Sequence, residues 1–239
     1  MPRNILISGA NRGIGLEFTR QLLGAGDHVV AACRHPGKAT ALNELAGEYP
    51  GRLHVLPLDV ADAKSRASLV HDLPLVLGEA DDGTPGRIDL LVNNAGVLHS
   101  GERFGHIEQA ILEDSFRTNA IGPFLLTQAL APLLIDGARI ANLSSIMASI
   151  ASRGEFRSPS YCSSKAAQNM LNVELAHALA ARGIVVLSLH PGWVQTDMGG
   201  DGANVTPQDA VHGLLQVIDA ATPEQSGSFL DWRGQSLPW

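Results

Sequence analysis

The stretch Ser8-Gly9-Ala10-Asn11-Arg12-Gly13-Ile14-Gly15 follows an apolar run, Ile5-Leu6-Ile7, and opens a helical pattern that continues from Ile14 to about Leu23. A strand feeding a glycine-rich turn, which in turn feeds a helix, is the arrangement that binds a dinucleotide pyrophosphate. Gly9 allows a sharp turn, Gly13 lets the backbone approach a phosphate, and Gly15 lets the helix lie close on the sheet. The helix N-terminus then presents unpaired N–H groups and a partial positive charge to the anion. Asn11, Arg12 and Ile14 complete the candidate phosphate turn. The spacing is G-x-x-x-G-x-G, unlike the commoner G-x-G-x-x-G. A plain flexible loop is the alternative reading, and the place between an apolar strand and an amphipathic helix argues against it.

Outward from this turn, short apolar runs alternate with longer helical patterns. Val29 to Ala32, Leu53 to Leu56, Ile88 to Val92, Arg139 to Leu143, Ile184 to Leu189 and a run near Phe229 read as strands. They are apolar on both faces, as strands covered on both sides must be. Helices are expected over about 39–48, 63–77, 108–134, 160–181 and 207–220. The alternation predicts an α/β fold: a Rossmann-type doubly wound parallel sheet of about seven strands with helices on both faces. The pattern spans 1–239 as one domain, with substrate loops expected at about 146–160 and 193–206. The polar segment 79–86 reads as a surface turn.

Composition narrows the function classes. The formal net charge is −7, with 17 Lys and Arg against 24 Asp and Glu and no basic cluster. A nucleic-acid surface is therefore not expected, nor a basic membrane-binding face. No apolar stretch is long enough for a membrane span, and the first residues show no signal-peptide pattern. The two cysteines, Cys33 and Cys162, form no metal or disulfide framework and read as reduced thiols, which fits a cytoplasmic protein. There is no G-x-S-x-G elbow of a serine hydrolase and no H-E-x-x-H zinc motif among nine histidines. His190 alone stands near the expected active edge, where a packed or solvated ring is the plainer reading.

At the end of the second strand, an NAD-selective site needs an acidic side chain for the adenosine ribose. Here stand Cys33 and Arg34. Arg34 suits a 2′-phosphate, with Arg12 as a second clamp, so NADP(H) is favoured over NAD(H). Arg34 as an ordinary surface residue stays open. Tyr161 and Lys165 stand four apart at the start of a helix and share a face. A lysine ammonium favours the phenolate, lowering the tyrosine pKa toward the range of a useful acid/base. Such a pair alone is common by chance. Ser144-Ser145 follows the fifth strand at the edge where open α/β sheets bind ligands, and Asn93-Asn94-Ala95-Gly96 follows the fourth. Asn119 reads on physics alone as a polar residue tolerated in a helix.

With these motifs in order, the sequence resembles the short-chain dehydrogenase/reductase family over essentially its whole length. The resemblance rests on Gly9/Gly13/Gly15, Asp59-Val60, Asn93-Asn94-Ala95-Gly96, Asn119, Ser145, Tyr161 with Lys165, and Pro191-Gly192 followed by Thr196. It implies a catalytic set of Asn119, Ser145, Tyr161 and Lys165. Ser145 is chosen over Ser144 because the second serine of such a pair is the usual catalytic one. Lys165 would also bind the nicotinamide ribose, and Asn119 would hold a relay water. Asp59 and Val60 would flank the adenine, and Asn93, Ala95 and Gly96 would line the cofactor. Pro191, Gly192, Val194 and Thr196 would sit by the nicotinamide. A narrower likeness, in Cys33-Arg34, Pro191 to Gly200 and the C-terminal Gly227 to Trp239, points to the branch of sniffer carbonyl reductases and C-factor-like proteins. The gap between Ser145 and Tyr161 is a few residues longer than is usual in the wider family, which bears on the substrate loop more than on the chemistry.

The leading expectation is an NADPH-dependent reductase of small carbonyl compounds, or alcohol dehydrogenase in reverse, with Tyr161 as acid/base. A dinucleotide-binding signalling protein with little turnover is the alternative, and an intact Asn/Ser/Tyr/Lys set argues against it. Met147, Phe156 and Trp193 suggest an apolar substrate pocket or, equally, core contacts. The short Gly-rich segment from Gly199 to Thr206 suggests a mobile lid. A homodimer or homotetramer is expected from the resemblance.

Overall fold

The computed structural model describes residues 2–77 and 86–239, so the polar turn expected at 79–86 lies, apart from Gly86, outside the described residues. Seven strands form one sheet, all pairs parallel. In chain order they are β1 (Asn4–Ser8), β2 (His28–Cys33), β3 (Leu53–Pro57), β4 (Ile88–Asn93), β5 (Leu134–Leu143), β6 (Val185–His190) and β7 (Phe229–Asp231). The helices between them are α1 (Gly13–Gly24), α2 (Thr40–Glu48), α3 (Ala63–Leu77), α4 (Gln109–Phe116), α5 (Gly122–Leu130), α6 (Pro159–Leu179) and α7 (Pro207–Ala220).

The spatial order is β3-β2-β1-β4-β5-β6-β7. The chain therefore builds outward from β1 in one direction and resumes from β4 in the other. The crevice between the C-terminal ends of β1 and β4 is the topological switch point, where sheets of this kind bind ligands. Strand side chains alternate between the faces. Ile5 and Ile7 of β1 pack with Phe18 and Leu22 of α1 and Leu214 of α7. Leu6 points the other way, into a second core with Leu73 of α3, Leu126 of α5 and Leu175 of α6. Two apolar cores on opposite faces explain why the strands read as unbroken apolar runs.

Two elements differ from the sequence reading. The single helix expected over about 108–134 is broken: α4 ends at Phe116, a π turn spans Arg117–Ile121, and α5 follows. Pro123 has no N–H to give the Asn119 carbonyl four residues back, so the α-helical ladder fails there. Gly122 bonds instead to the Arg117 carbonyl five residues back. The end of that segment is also strand rather than helix. After a 3-10 turn at Ala131–Leu133, β5 begins at Leu134, well before Arg139, and its register against β4 shifts between Ile88 and Leu90. Pro132 and the left-handed Gly137 (φ +76°) rule out a continuing helix. Among the described residues, no helix is long and apolar enough to cross a membrane.

Candidate active site

The glycine turn is fixed by contact as much as by conformation. Gly9 (φ +67°) sits so close to the loop after β4 that a Cβ would lie 2.8 Å from the Ala95 Cα. A Cβ on Gly15 would overlap the Gly9 carbonyl oxygen, so α1 can lie against the turn only with glycine there. Asn94 ties the two loops together: its Nδ2 donates to the carbonyls of Ser8 (3.1 Å) and Gly9 (2.9 Å). Its backbone N–H donates to the Ser8 hydroxyl at 3.1 Å. Sequence reasoning quoted Asn94 without giving it a role, and the paired Asn93-Asn94 was the available signal.

Beyond the turn lies a cleft of about 700 Å³ along the C-terminal ends of β1, β2, β4, β5 and β6. It is lined by Gly9, Asn11, Arg12, Gly13 and Ile14 at the turn, by Arg34, Asp59 and Val60 on one side, and by Ala95 and Gly96. Ser145, Tyr161, Lys165, Pro191, Gly192, Val194 and Thr196 line it farther along. The sequence-derived set thus converges, with three residues behind the lining. Gly15 acts through packing, as above. Asn93 is turned away, its Nδ2 donating to Thr127 Oγ1 (3.0 Å) and Asn142 Oδ1 (2.9 Å), where it joins β4 to β5 and α5. Asn119 is fully buried next to the lining and grips the loop after β4 by its backbone.

The cleft fits a phosphorylated dinucleotide. The glycines leave the turn without Cβ atoms where backbone N–H groups must meet phosphate. The Asp59 carboxylate is tied into its own turn, accepting from the Ala61 N–H at 2.9 Å. At the end of β2 the exposed Arg34 lines the cleft without an acidic neighbour in the Cys33-Arg34-His35 run. Arg12 is paired across the mouth with Asp197 at 2.7 Å. Both side chains are largely exposed, so this pair is worth at most about 1 kcal/mol. A phosphate dianion, bidentate to guanidinium, would compete with Asp197 for Arg12.

The acid/base residues come from three elements. The wide π turn carries Asn119 inward. Its Oδ1 accepts from the Val97 N–H (2.8 Å), and its Nδ2 donates to the Val97 carbonyl (2.9 Å) and to Ser164 Oγ (3.0 Å). Ser145 follows β5, and its Oγ accepts from the Met147 N–H at 3.1 Å. Ser144 also lines the cleft, but its hydroxyl donates to Asn169 Oδ1 at 2.7 Å. Tyr161 and Lys165 stand on the first turns of α6, with the ammonium 5.9 Å from the phenol ring centroid. The α6 N-terminus is set by a left-handed Ser158 (φ +45°), by Pro159 and by Glu102, which accepts from the Ser160 N–H at 3.3 Å.

Electrostatics here depart from the expectation that Lys165 lowers the tyrosine pKa. Burial pushes Tyr161 up to about 12, with the Ser145 hydroxyl pulling in the other direction. Burial also pushes Lys165 down to about 7. His190, at the end of β6, is held down at about 4 by burial, against the nearby Asp231.

At the far end of the cleft, Met147 and Trp193 line the cavity. Phe156 does not: it is exposed and stacks edge-on against Phe104 at 5.9 Å. The segment from Gly199 to Thr206 is tied down and does not have the bonding of a free lid. Val205 bridges Val194, the Asn204 N–H donates to the Trp193 carbonyl (3.1 Å), and Trp193 Nε1 donates to the Gly199 carbonyl (2.7 Å). Gly202 lies under the Trp193 ring, where a Cβ would come within 2.6 Å of it.

Known proteins similar to this chain are numerous. Residues 3–204 match the family model described as short chain dehydrogenase. C-signal of Myxococcus xanthus is 42% identical over 156 residues, covering 64% of this chain and 94% of that protein. The NADPH-bound carbonyl reductase from chicken fatty liver has a similar structure, with a TM-score of 0.91 at 35% identity, covering 100% of this chain and 99% of the other. Carbonyl reductase Sniffer of D. melanogaster gives 0.92 at 31% identity, covering both chains fully.

Proposed function

The chain belongs to the short-chain dehydrogenase family and is an oxidoreductase, and from that premise we propose that it reduces small aldehydes or ketones with NADPH, Tyr161 giving the proton. The observation that carries this reading is the convergence of Ser145, Tyr161 and Lys165 on the same cleft as the glycine turn. When bound, the nicotinamide supplies the hydride. Arg12 and Arg34 would hold the 2′-phosphate, and their pairing with it is the ground for preferring NADPH to NADH.

Ser145 donates its hydroxyl proton toward the carbonyl oxygen and fixes the substrate against Tyr161. A phenol with a pKa of about 12 keeps its proton throughout the neutral range, as an acid must. As the carbonyl carbon is reduced, its oxygen becomes an alkoxide, a stronger base than the phenolate, and takes that proton. The Lys165 ammonium, 5.9 Å from the phenol ring centroid, would favour the phenolate left behind. Asn119 holds the loop that presents Ala95 and Gly96. Homo-oligomers in the cytoplasm, and substrate loops at 146–160 and 193–206, belong to the same reading.

Tyr161→Phe tests it. General acid catalysis contributes roughly 10²–10⁴-fold, so turnover should fall by at least the lower figure while NADPH affinity, read by fluorescence titration, stays close to wild type. Retained turnover would remove Tyr161 from the role. The 42% identity to C-signal favours a second reading, a dinucleotide-binding signalling protein. Cofactor binding without turnover of any carbonyl compound separates it from the first.

A further inference from the structure

The buried face of α6 is polar, and the mechanism leaves one of its residues, Gln168, without a task. Ser164 receives Asn119, Asn169 receives Ser144, and Asn172 donates to Ser188. Gln168 lies between them, buried at 2% exposure. It stands three residues after Lys165, so both side chains leave the same face of the helix. Its Oε1 accepts a hydrogen bond from Lys165 Nζ at 2.9 Å.

We propose that Gln168 is a positioning residue for Lys165, its amide oxygen aiming the ammonium so that one N–H remains free toward the cleft. An ammonium has three donors and no acceptor. The Leu143 carbonyl takes one at 2.6 Å and Gln168 takes a second. With two bonds fixed, the direction of the third is fixed as well. An apolar side chain at 168 would leave one anchor and a freely rotating head. A carboxylate would fix the head but bind the charge as an ion pair. The amide oxygen is the acceptor that does the first without the second, since it neither ionises nor takes up a proton in the neutral range.

The surroundings single out Gln168. Among the described residues, Tyr161 on the same helix is the titratable side chain facing Lys165. The π turn presents the neutral Asn119 amide and the loop after β4 presents Gly96, where a Cβ would stand 3.2 Å from Asn119 Oδ1 and 3.7 Å from Nζ. β5 presents the Leu143 carbonyl. No carboxylate among the described residues contributes to the shift, and burial lowers the lysine. A hydrogen bond from the ammonium to Gln168 favours the charged form, so losing it should make Lys165 release its proton more readily.

This inference rests on the proposed role of Tyr161 and Lys165 in turnover, but its test does not. The chain has three lysines, and the other two, Lys38 and Lys64, are exposed. Lysine isotope-labelled at Cε gives three resolvable NMR signals, and the midpoint of the Lys165 signal is followed with pH in the full chain. Gln168→Met, a near-isosteric change, should lower that midpoint by about one pH unit, since a hydrogen bond to the charged form is lost. Gln168→Glu should raise it by a similar or larger amount. Opposite shifts from two substitutions at one buried position are not the signature of general loosening. A Lys165 midpoint left in place in either folded variant, or moved in the same direction by both, overturns the inference. The expected shifts in a protein that turns over no carbonyl compound would uphold it and count against the proposed function alone.

Discussion

Lys165 is the residue at which folding and chemistry conflict. Burial lowers its pKa from 10.5 to about 7, so between these values the unfolded chain binds a proton that the native chain does not. Stability then rises with pH across that window. Below pH 7 the native protein holds a buried ammonium at a cost, and Lys165→Met removes it. The variant's gain in unfolding free energy should be largest at or below pH 7 and shrink toward pH 10.5, while turnover is lost. A pH-independent difference, measured by denaturant unfolding, would contradict the burial account. Arg34 carries a second prediction of this scale. Arg34→Asp should weaken NADPH far more than NADH, because it replaces a phosphate partner with a like charge, and equal losses in titration would undo the 2′-phosphate argument. Tyr161, Lys165 and Ser145 were legible because their spacing and place after strands are local facts. Their protonation was not, because it depends on how much water the folded cleft excludes, and no spacing states that. Gln168 escaped for a related reason: a glutamine in a helix looks solvated until the helix face is known to be buried.

At the scale of elements, the glycine turn was readable because glycine is the chemical signal for backbone crowding. Gly15→Ala should cost roughly 1–3 kcal/mol of stability, the range for forcing an extra methyl into a packed site, since the new Cβ has the Gly9 carbonyl, Asn94 Nδ2 and Ala10 Cα around it. NADPH affinity should fall with it, because α1 must move off the turn that its N-terminus serves. A thermal melt unchanged from wild type would show that the turn yields more easily than its packing implies. The π turn was missed although its cause is in the sequence: Pro123 denies the Asn119 carbonyl a donor, while the apolar period runs straight through and reads as one helix. The segment from Gly199 to Thr206 was misjudged in the other direction. Gly202 is required by the Trp193 ring and Gly199 by the Val194 carbonyl, and only the fold brings those groups to them.

At the scale of the molecule, the seven-stranded order gathers its site from residues that lie as far apart as Gly9 and Thr196. The fold was legible because each strand declares itself by being apolar on both faces, and one long α/β alternation admits few topologies. The sheet order places every candidate loop at one edge, which is why local motifs could be assembled into a site without knowledge of the distances between them. Asn93 shows the limit: it stands at the right edge, but its side chain serves the join between β4 and β5. The central claim is reduction of a carbonyl compound by NADPH in this cleft. The most direct measurement is the absorbance of NADPH mixed with the purified protein and a panel of aldehydes and ketones. The account predicts protein-dependent NADPH oxidation with at least one of them, lost in Tyr161→Phe. Tight NADPH binding with no oxidation across the panel would contradict it.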